Sequence, residues 1–265
     1  MRRTMKILVT LAPGICLAPA LAAEPVTIDA GAFESVLPLT EDNAPVVIEA
    51  FRMDRVPVTN REFLDFVLRN PEWQRGETVS LFADENYLAH WPDASSILPA
   101  QASRPVVNVS WFAARAYCEA RGGRLPGWHE WEYVAAADEH ERDARGNPAW
   151  RQKILGWYGE TGGKALPEVG GNPPNAWGVQ DMHGLVWEWV EDFNALLVSS
   201  DNRVQGGADR LKFCGAGAAT MEDKENYAVL MRTAMLSSLD GNTTTRNTGF
   251  RCAYDSSNEL EEETR

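Results

Sequence analysis

The residues with the clearest capacity for chemistry lie in one segment, FCGAGAATMEDKENYAVLMRTAM, which occupies residues 213–235. It holds a single cysteine, Cys214, within a run of glycine and alanine. One interpretation is a soft-ligand site suited to copper(I), in which this thiolate is joined by thioether or imidazole donors from Met182, His183, Met221, Met231 and Met235. The other is that Cys214 is a small, inert residue buried in a tight turn and that the methionines fill the core.

Helices and short strands must position this segment. Residues 46–53 alternate partly between apolar and polar types, and a Thr-Asn cap then precedes the apolar pattern of VTNREFLDFVLRN, which predicts a strand, a turn and a helix. Ser110 is a plausible cap for a second helix, WFAARAYCEARG. A third helix is predicted for RLPGWHEWEYVAAAD, and a closing strand for NTGFRCAYD.

The rest of the chain has little periodicity. A turn at residues 181–184 leads into a predicted strand in which Val186, Glu188 and Val190 face away from two tryptophans. Residues 71–101 and 143–175 have no sustained period and are predicted to be loops, the second of them interrupted by ILGWYG. The pattern indicates a single mixed domain with a high loop content.

The N-terminus has the pattern of a secretory signal peptide. Arg2, Arg3 and Lys6 precede a mostly apolar stretch, and Ala20-Leu21-Ala22 supplies the small residues that signal peptidase needs. We therefore predict cleavage after Ala22. The mature protein is expected to be secreted and periplasmic, with no membrane anchor.

The net charge limits the possible binding partners of the protein, and the number of cysteines limits how they can be paired. Loss of the three basic residues of the signal peptide takes the formal charge from −13 to −16, which argues against nucleic acid or anionic lipid as a partner. The glutamate-rich residues 256–265 are expected to be disordered. Three cysteines remain, so in an oxidising compartment at least one is unpaired, bonded to another molecule or bound to a metal. They are Cys118, Cys214 and Cys252.

Four stretches follow one another in a characteristic order: RPVVNVSWFAARAYCEARGGRLPGWHEWEY, NAWGVQDMHGLVWEWVED, RVQGGA and NTGFRCA. This arrangement resembles the formylglycine-generating enzyme family, also called the sulfatase-modifying-factor domain, over roughly residues 26–254. VPVTNREFLDFV is similar to the opening helix motif of the family. The resemblance implies an α+β, loop-rich mixed fold related to C-type lectins. It also implies a disulfide between Cys118 and Cys252, which leaves Cys214 unpaired.

The sequence departs from the family pattern at the positions of the catalytic residues. Formylglycine-generating members carry a serine where this chain has Ala208. They also carry two cysteines upstream of an arginine that matches Arg232, and counting back from the end of GFRC places those cysteines at Asp223 and Ala228. The family's enzymes hold copper between two thiolates, and a lone Cys214 cannot supply both within one chain. A member without formylglycine chemistry is therefore expected.

Two other metals of the family are not expected either. The element GNVWEW, which helps to build a calcium site in some members, is GLVWEW here, and Leu185 has no oxygen to offer a hard cation. The non-haem iron site of ergothioneine-type members draws histidines from an additional helical domain, for which this sequence shows no pattern.

The resemblance also suggests which residues border a binding cleft: Arg232, Asn247, Arg251, Trp187, Trp189, Glu188 and Cys214. An arginine in such a cleft can clamp the carboxylate of a peptide or small acidic substrate through two parallel hydrogen bonds. For Arg251 the alternative is a structural salt bridge. Glu188 is either the buried partner of an arginine, which we favour, or a general base. One of the two tryptophans is expected in the core and the other at the cleft, where it can stack on a ligand.

These patterns predict a signal peptide at residues 1–22, a sulfatase-modifying-factor-like domain at 23–255 and a tail at 256–265. The insertion followed by ENYAVLMR resembles the branch of the family that accompanies copper nitrite reductases. That likeness implies an accessory or maturation factor for a periplasmic copper redox enzyme. Two alternatives remain open: an oxidase or other enzyme acting on a small molecule or peptide, and a ligand-binding module without chemistry.

Overall fold

The computed structural model describes residues 24–37, 44–159, 165–194 and 227–256. The predicted signal peptide, Cys214, the RVQGGA motif and residues 257–265 lie outside these ranges. Within them, no helix combines the length and the apolar character needed to cross a membrane.

The described strands are short and form three small sheets. An antiparallel sheet has the order β1-β4-β7, and a second antiparallel pair joins β2 to β3. The pair β5-β6 is parallel. The strands are β1 (Val26–Ile28), β2 (Gly31–Phe33), β3 (Val46–Ile48), β4 (Phe51–Met53), β5 (Trp187–Glu188), β6 (Thr248–Gly249) and β7 (Ala253–Asp255). The chain is therefore a mixed α+β fold with much irregular structure, as expected.

The helices in the described ranges are α1 (Asn60–Arg69), α2 (Trp111–Ala120), α3 (Trp128–Ala135), α4 (Pro148–Gly159) and α5 (Tyr227–Ser237). The first two begin where the sequence predicts. At α1, Thr59 and Glu62 form a reciprocal capping box. At α2, the Ser110 hydroxyl accepts a hydrogen bond of 3.1 Å from the Ala113 amide.

The disulfide implied by the family resemblance is present. Cys118 on α2 is bonded to Cys252, immediately before β7, and both residues are fully buried. Asp54 lies beside this bond and accepts hydrogen bonds from the Cys252 amide at 3.1 Å and the Tyr254 hydroxyl at 3.1 Å. Arg121 completes the group with an ion pair of 3.0 Å to Asp54. The group joins the end of α2 to the strands β4 and β7.

Helix α4 corrects the prediction that residues 143–175 form a loop. The sequence signal was the dipeptide Asn147-Pro148, because proline suits the first helical position and asparagine suits the cap. The Asn147 side chain accepts a hydrogen bond of 3.0 Å from the Ala149 amide. Trp150 and Trp157, two turns apart, both place their rings against His183. Packing of this face holds α4 even though a glycine interrupts its pattern.

The predicted strand at residues 186–190 is shorter than expected. Only β5 pairs with a neighbour, β6, while the flanking residues Val186, Trp189 and Val190 are buried without forming a ladder.

The hydrophobic core is rich in aromatic side chains. Edge-on ring pairs join residues of α1, α2, the loop that contains Trp91 and the chain before β7. These residues are Phe63, Phe66, Trp91, Tyr117 and Phe250.

Candidate functional site

A cleft of about 340 Å³ opens between the loop before α2, the start of α1 and the chain before β6. We refer to it as the polar cleft, because most of its side chains carry amide, imidazole or guanidinium groups. Those polar residues are Asn60, Asn86, His90, Gln101, Arg104, Asn108 and Arg246. The remaining wall is apolar and includes Val107 and Leu166. A concave site with a few convergent polar groups is the usual form of a small-ligand site.

Asn60, the first residue of α1, organises one wall of the polar cleft. Its side-chain amide nitrogen donates to the carbonyl oxygens of Gln101, Arg104 and Pro105 at 3.0–3.2 Å. Since all three partners accept, the orientation of the amide is fixed. The amide oxygen then accepts from the Trp91 indole at 2.8 Å and faces His90 Nε2 at 2.9 Å. One buried side chain thus holds two loops against α1.

This arrangement settles the tautomer of His90. An amide oxygen can only accept, so His90 Nε2 must carry the proton and donate to Asn60. In the neutral ring Nδ1 is then an acceptor, and it is buried with no hydrogen-bond partner in the described part of the chain. Burial, aided by the positive charge of Arg75, lowers the pKa of His90 to about 4, so the ring is neutral at physiological pH.

The lowered pKa of His90 makes stability depend on pH. Between the ordinary value of 6.5 and about 4, the unfolded chain takes up a proton that the folded chain excludes, so stability is lost as pH falls through this window. We expect the free energy of unfolding to fall by on the order of 2 kcal/mol more in wild type than in His90→Gln between pH 7 and pH 4.5. Urea titrations at each pH measure this difference. Parallel pH profiles for the two proteins would contradict it.

Two residues beside the polar cleft have a left-handed backbone conformation. Leu88 and Asn108 have φ values of 49° and 50°, in the left-handed region that residues with a side chain seldom adopt. The two are linked, because the Leu88 amide donates to the Asn108 carbonyl at 2.8 Å. The Asn108 amide in turn donates to the Thr245 carbonyl at 2.8 Å. Asparagine tolerates this conformation, whereas leucine is strained in it, and such strain concentrates at functional sites.

Several polar groups in the polar cleft have no partner in the described ranges. The side chains of Arg104 and Arg246 form neither an ion pair nor a hydrogen bond with any described residue. The side-chain amide of Asn108 likewise has no hydrogen-bond partner among the described residues. Asn108 is only 4% exposed. These groups remain available to a ligand.

Two of the three charged residues suggested by the sequence, Glu188 and Arg251, form an ion pair in the interior. Both are 0% exposed and form a two-point ion pair, from Arg251 Nε to Oε2 at 2.9 Å and from Nη2 to Oε1 at 2.8 Å. The Trp131 indole donates to the same carboxylate at 2.8 Å. Arg251 also donates to the carbonyls of Asp54, Arg55 and Gln180. Arg251 therefore forms a structural salt bridge, and Glu188 is the buried partner of an arginine. For each residue this was one of the two interpretations that the sequence allowed.

Arg232, on α5, is buried next to this ion pair rather than at a cleft surface. Its guanidinium lies 3.6 Å from the centre of the Trp131 ring and donates to the backbone carbonyl of Glu188. Trp189 is fully buried and donates to the Val109 carbonyl at 2.9 Å, whereas Trp187 is half-buried. The structure therefore places Trp189 in the core.

Asn247 is next in the chain to Arg246, a residue of the polar cleft. It is exposed, and its side-chain oxygen accepts from the Thr245 hydroxyl at 2.9 Å. Cys214 lies outside the described residues. Among those described, no three histidine, cysteine, aspartate or glutamate side chains are grouped closely enough to hold a metal ion.

Most residues of the polar cleft could not be identified as candidate site residues from the sequence. The sequence marks Asn60 only as part of a helix cap, and nothing in it distinguishes His90, Arg104 or Asn108. The one usable signal is the long irregular stretch at 71–101, since such a stretch in a compact domain is often functional. The left-handed conformation of Asn108 suits asparagine, but VVNVSW gives no hint of it because the surrounding residues favour a strand.

The chain belongs to the family of the sulfatase-modifying factor enzyme 1-like domain, whose model matches residues 18–256. An inactive C-alpha-formylglycine-generating enzyme 2 from Mus musculus is 30% identical, over 78% of this chain and 76% of its own length. The formylglycine-generating enzyme of Bos taurus is 29% identical, over 79% of this chain and 67% of its own length. Both active and inactive proteins are thus among the relatives.

Among solved structures, PvdO from Pseudomonas aeruginosa is similar with a TM-score of 0.45 and 20% sequence identity. The match covers 87% of this chain and 94% of PvdO.

Proposed function

We propose that this protein is a periplasmic accessory protein for a copper redox enzyme and that it makes no formylglycine. The observation that carries the proposal is that two of its cysteines form a disulfide and leave only one free to bind a metal. Cys118 and Cys252 are bonded to each other, so Cys214 is the one thiol in residues 23–265. Copper ligation by two thiolates within one chain does not fit this donor set.

Four further features support the accessory role. The N-terminus has a signal-peptide pattern, and ENYAVLMR is similar to a branch that accompanies copper nitrite reductases. An inactive member of the family is among the relatives. None of the described lining residues of the polar cleft is a cysteine, serine, lysine, aspartate or glutamate, so the commonest nucleophiles are not among them.

The accessory role is tested in the source organism by deleting the gene. We expect the periplasmic copper oxidoreductases purified from the deletion strain to contain less copper per protein than those from the parent. A plasmid copy of the wild-type gene should restore the copper content. A cytoplasmic metalloenzyme from the same cells is the control for general copper supply. Normal copper content in the deletion strain would refute the accessory role.

A further inference from the structure

We propose that the polar cleft binds an acidic amino-acid residue. The carboxylate of that residue pairs with Arg104 and Arg246, and its backbone N–H donates to the side-chain oxygen of Asn108. The inference rests on the proposed function, because it names the feature of a partner protein that the cleft would recognise. The sequence suggested pairing between an arginine and a carboxylate, but it pointed to other arginines, Arg232 and Arg251.

Two arginines of the polar cleft lack an acidic partner among the described residues although the chain is acidic. It has 38 aspartate and glutamate residues against 25 lysine and arginine residues, so basic side chains have many possible partners. Arg121, Arg142 and Arg145 all form ion pairs with acidic side chains. Arg104 and Arg246 form none with any described residue, and no acidic residue is among the described lining of the polar cleft. The cleft therefore presents positive charge that an anionic ligand can neutralise.

Asn108 supplies a second, independent indication of a ligand. The residue is 4% exposed, and its side-chain amide has no hydrogen-bond partner in the described part of the chain. Its amide atoms are not fully enclosed, and the residue lines the polar cleft. Nearly all polar groups this close to the interior are satisfied in proteins. A ligand in the polar cleft would satisfy it.

The Asn108 amide oxygen favours one kind of anion, because it is a hydrogen-bond acceptor in the lining of the polar cleft. Phosphate and sulfate offer mainly acceptor oxygens, which leave this atom unsatisfied. An acidic amino-acid residue carries both a carboxylate and an N–H donor. The volume of about 340 Å³ is at the lower end for ligand sites, which suits one residue rather than a large ligand.

The test is calorimetric titration of the purified mature protein with N-acetyl-aspartate amide. N-acetyl-asparagine amide is the neutral probe of the same shape. We expect a dissociation constant of about 1 mM or below for the acidic probe. The neutral probe should bind at least about tenfold more weakly, because it cannot form charge-assisted hydrogen bonds with the arginines.

Matched arginine variants locate the site. Arg104→Gln and Arg246→Gln should each weaken binding of the acidic probe by at least about tenfold. Arg115→Gln is the control, because Arg115 is exposed on α2 and pairs with Glu119 away from the polar cleft. It should leave the affinity unchanged. Circular dichroism and thermal unfolding confirm that each variant is folded before its affinity is compared.

Three results would overturn the inference: equal affinity for the two probes, tighter binding of inorganic phosphate than of the acidic probe, or unchanged affinity in both cleft variants. The experiment also separates this inference from the proposed function. Probe binding together with normal copper loading in the deletion strain would refute the accessory role alone. Reduced copper loading without probe binding would refute the acidic-residue site alone.

Discussion

Removal of the Cys118–Cys252 disulfide is expected to lower the free energy of unfolding by about 5 kcal/mol. The two cysteines are 134 residues apart in sequence, and the entropy that a cross-link removes from the unfolded chain grows with the logarithm of the loop length. The suitable variant is Cys118→Ala with Cys252→Ala, because both side chains are fully buried and alanine adds no polar group to the core. Guanidinium titration at pH 7 measures the loss.

Two comparisons separate the covalent link from other effects of the substitution. Wild type unfolded with reductant present should be destabilised by a similar amount, whereas reductant should not affect the double variant. Cys214→Ser removes a cysteine and keeps the disulfide, so its response to reductant should match that of wild type. A loss below about 1 kcal/mol in the double variant would show that the cross-link barely constrains the unfolded chain.

Local signals in the sequence predict the early helices well. Thr59 with Glu62 and Ser110 are side chains that cap a helix through their own neighbours, so the information is contained in a few consecutive residues. The same kind of signal is present at Asn147-Pro148, where the loop prediction is wrong. A glycine at position 156 and the surrounding glycine and proline residues obscure that helix, because their composition outweighs the cap.

The candidate site is less predictable, because its groups come from distant parts of the chain. The sequence does suggest an arginine that clamps a carboxylate with two hydrogen bonds. Arg251 does so, but the carboxylate is that of Glu188 in the protein interior. Arg104 and Arg246 border the polar cleft only because the folded chain brings their loops together. Neither spacing nor periodicity can reveal which arginine meets an internal partner and which remains open to a ligand.

Breaking the buried ion pair between Glu188 and Arg251 on one side should also lower the free energy of unfolding substantially. Glu188→Gln leaves the guanidinium of Arg251 at 0% exposure with a neutral partner, and breaking a buried pair on one side costs about 3–5 kcal/mol. Arg251→Met leaves the Glu188 carboxylate with the Trp131 indole as its remaining side-chain partner among those described. It also removes the donor to the backbone carbonyls of Asp54 and Gln180. We therefore expect at least as large a loss in that variant.

The exposed pair between Arg115 and Glu119 on α2 is the matched control, with side chains 46% and 55% exposed. Arg115→Met should cost no more than about 1 kcal/mol, since water screens this pair. The double variant Glu188→Gln with Arg251→Met should lose less than the sum of the two single losses, because neither charge is then left buried alone. Urea titration of all four variants measures these differences. Additive losses at Glu188 and Arg251 would show that the two side chains stabilise the fold independently, through their other hydrogen bonds rather than through each other.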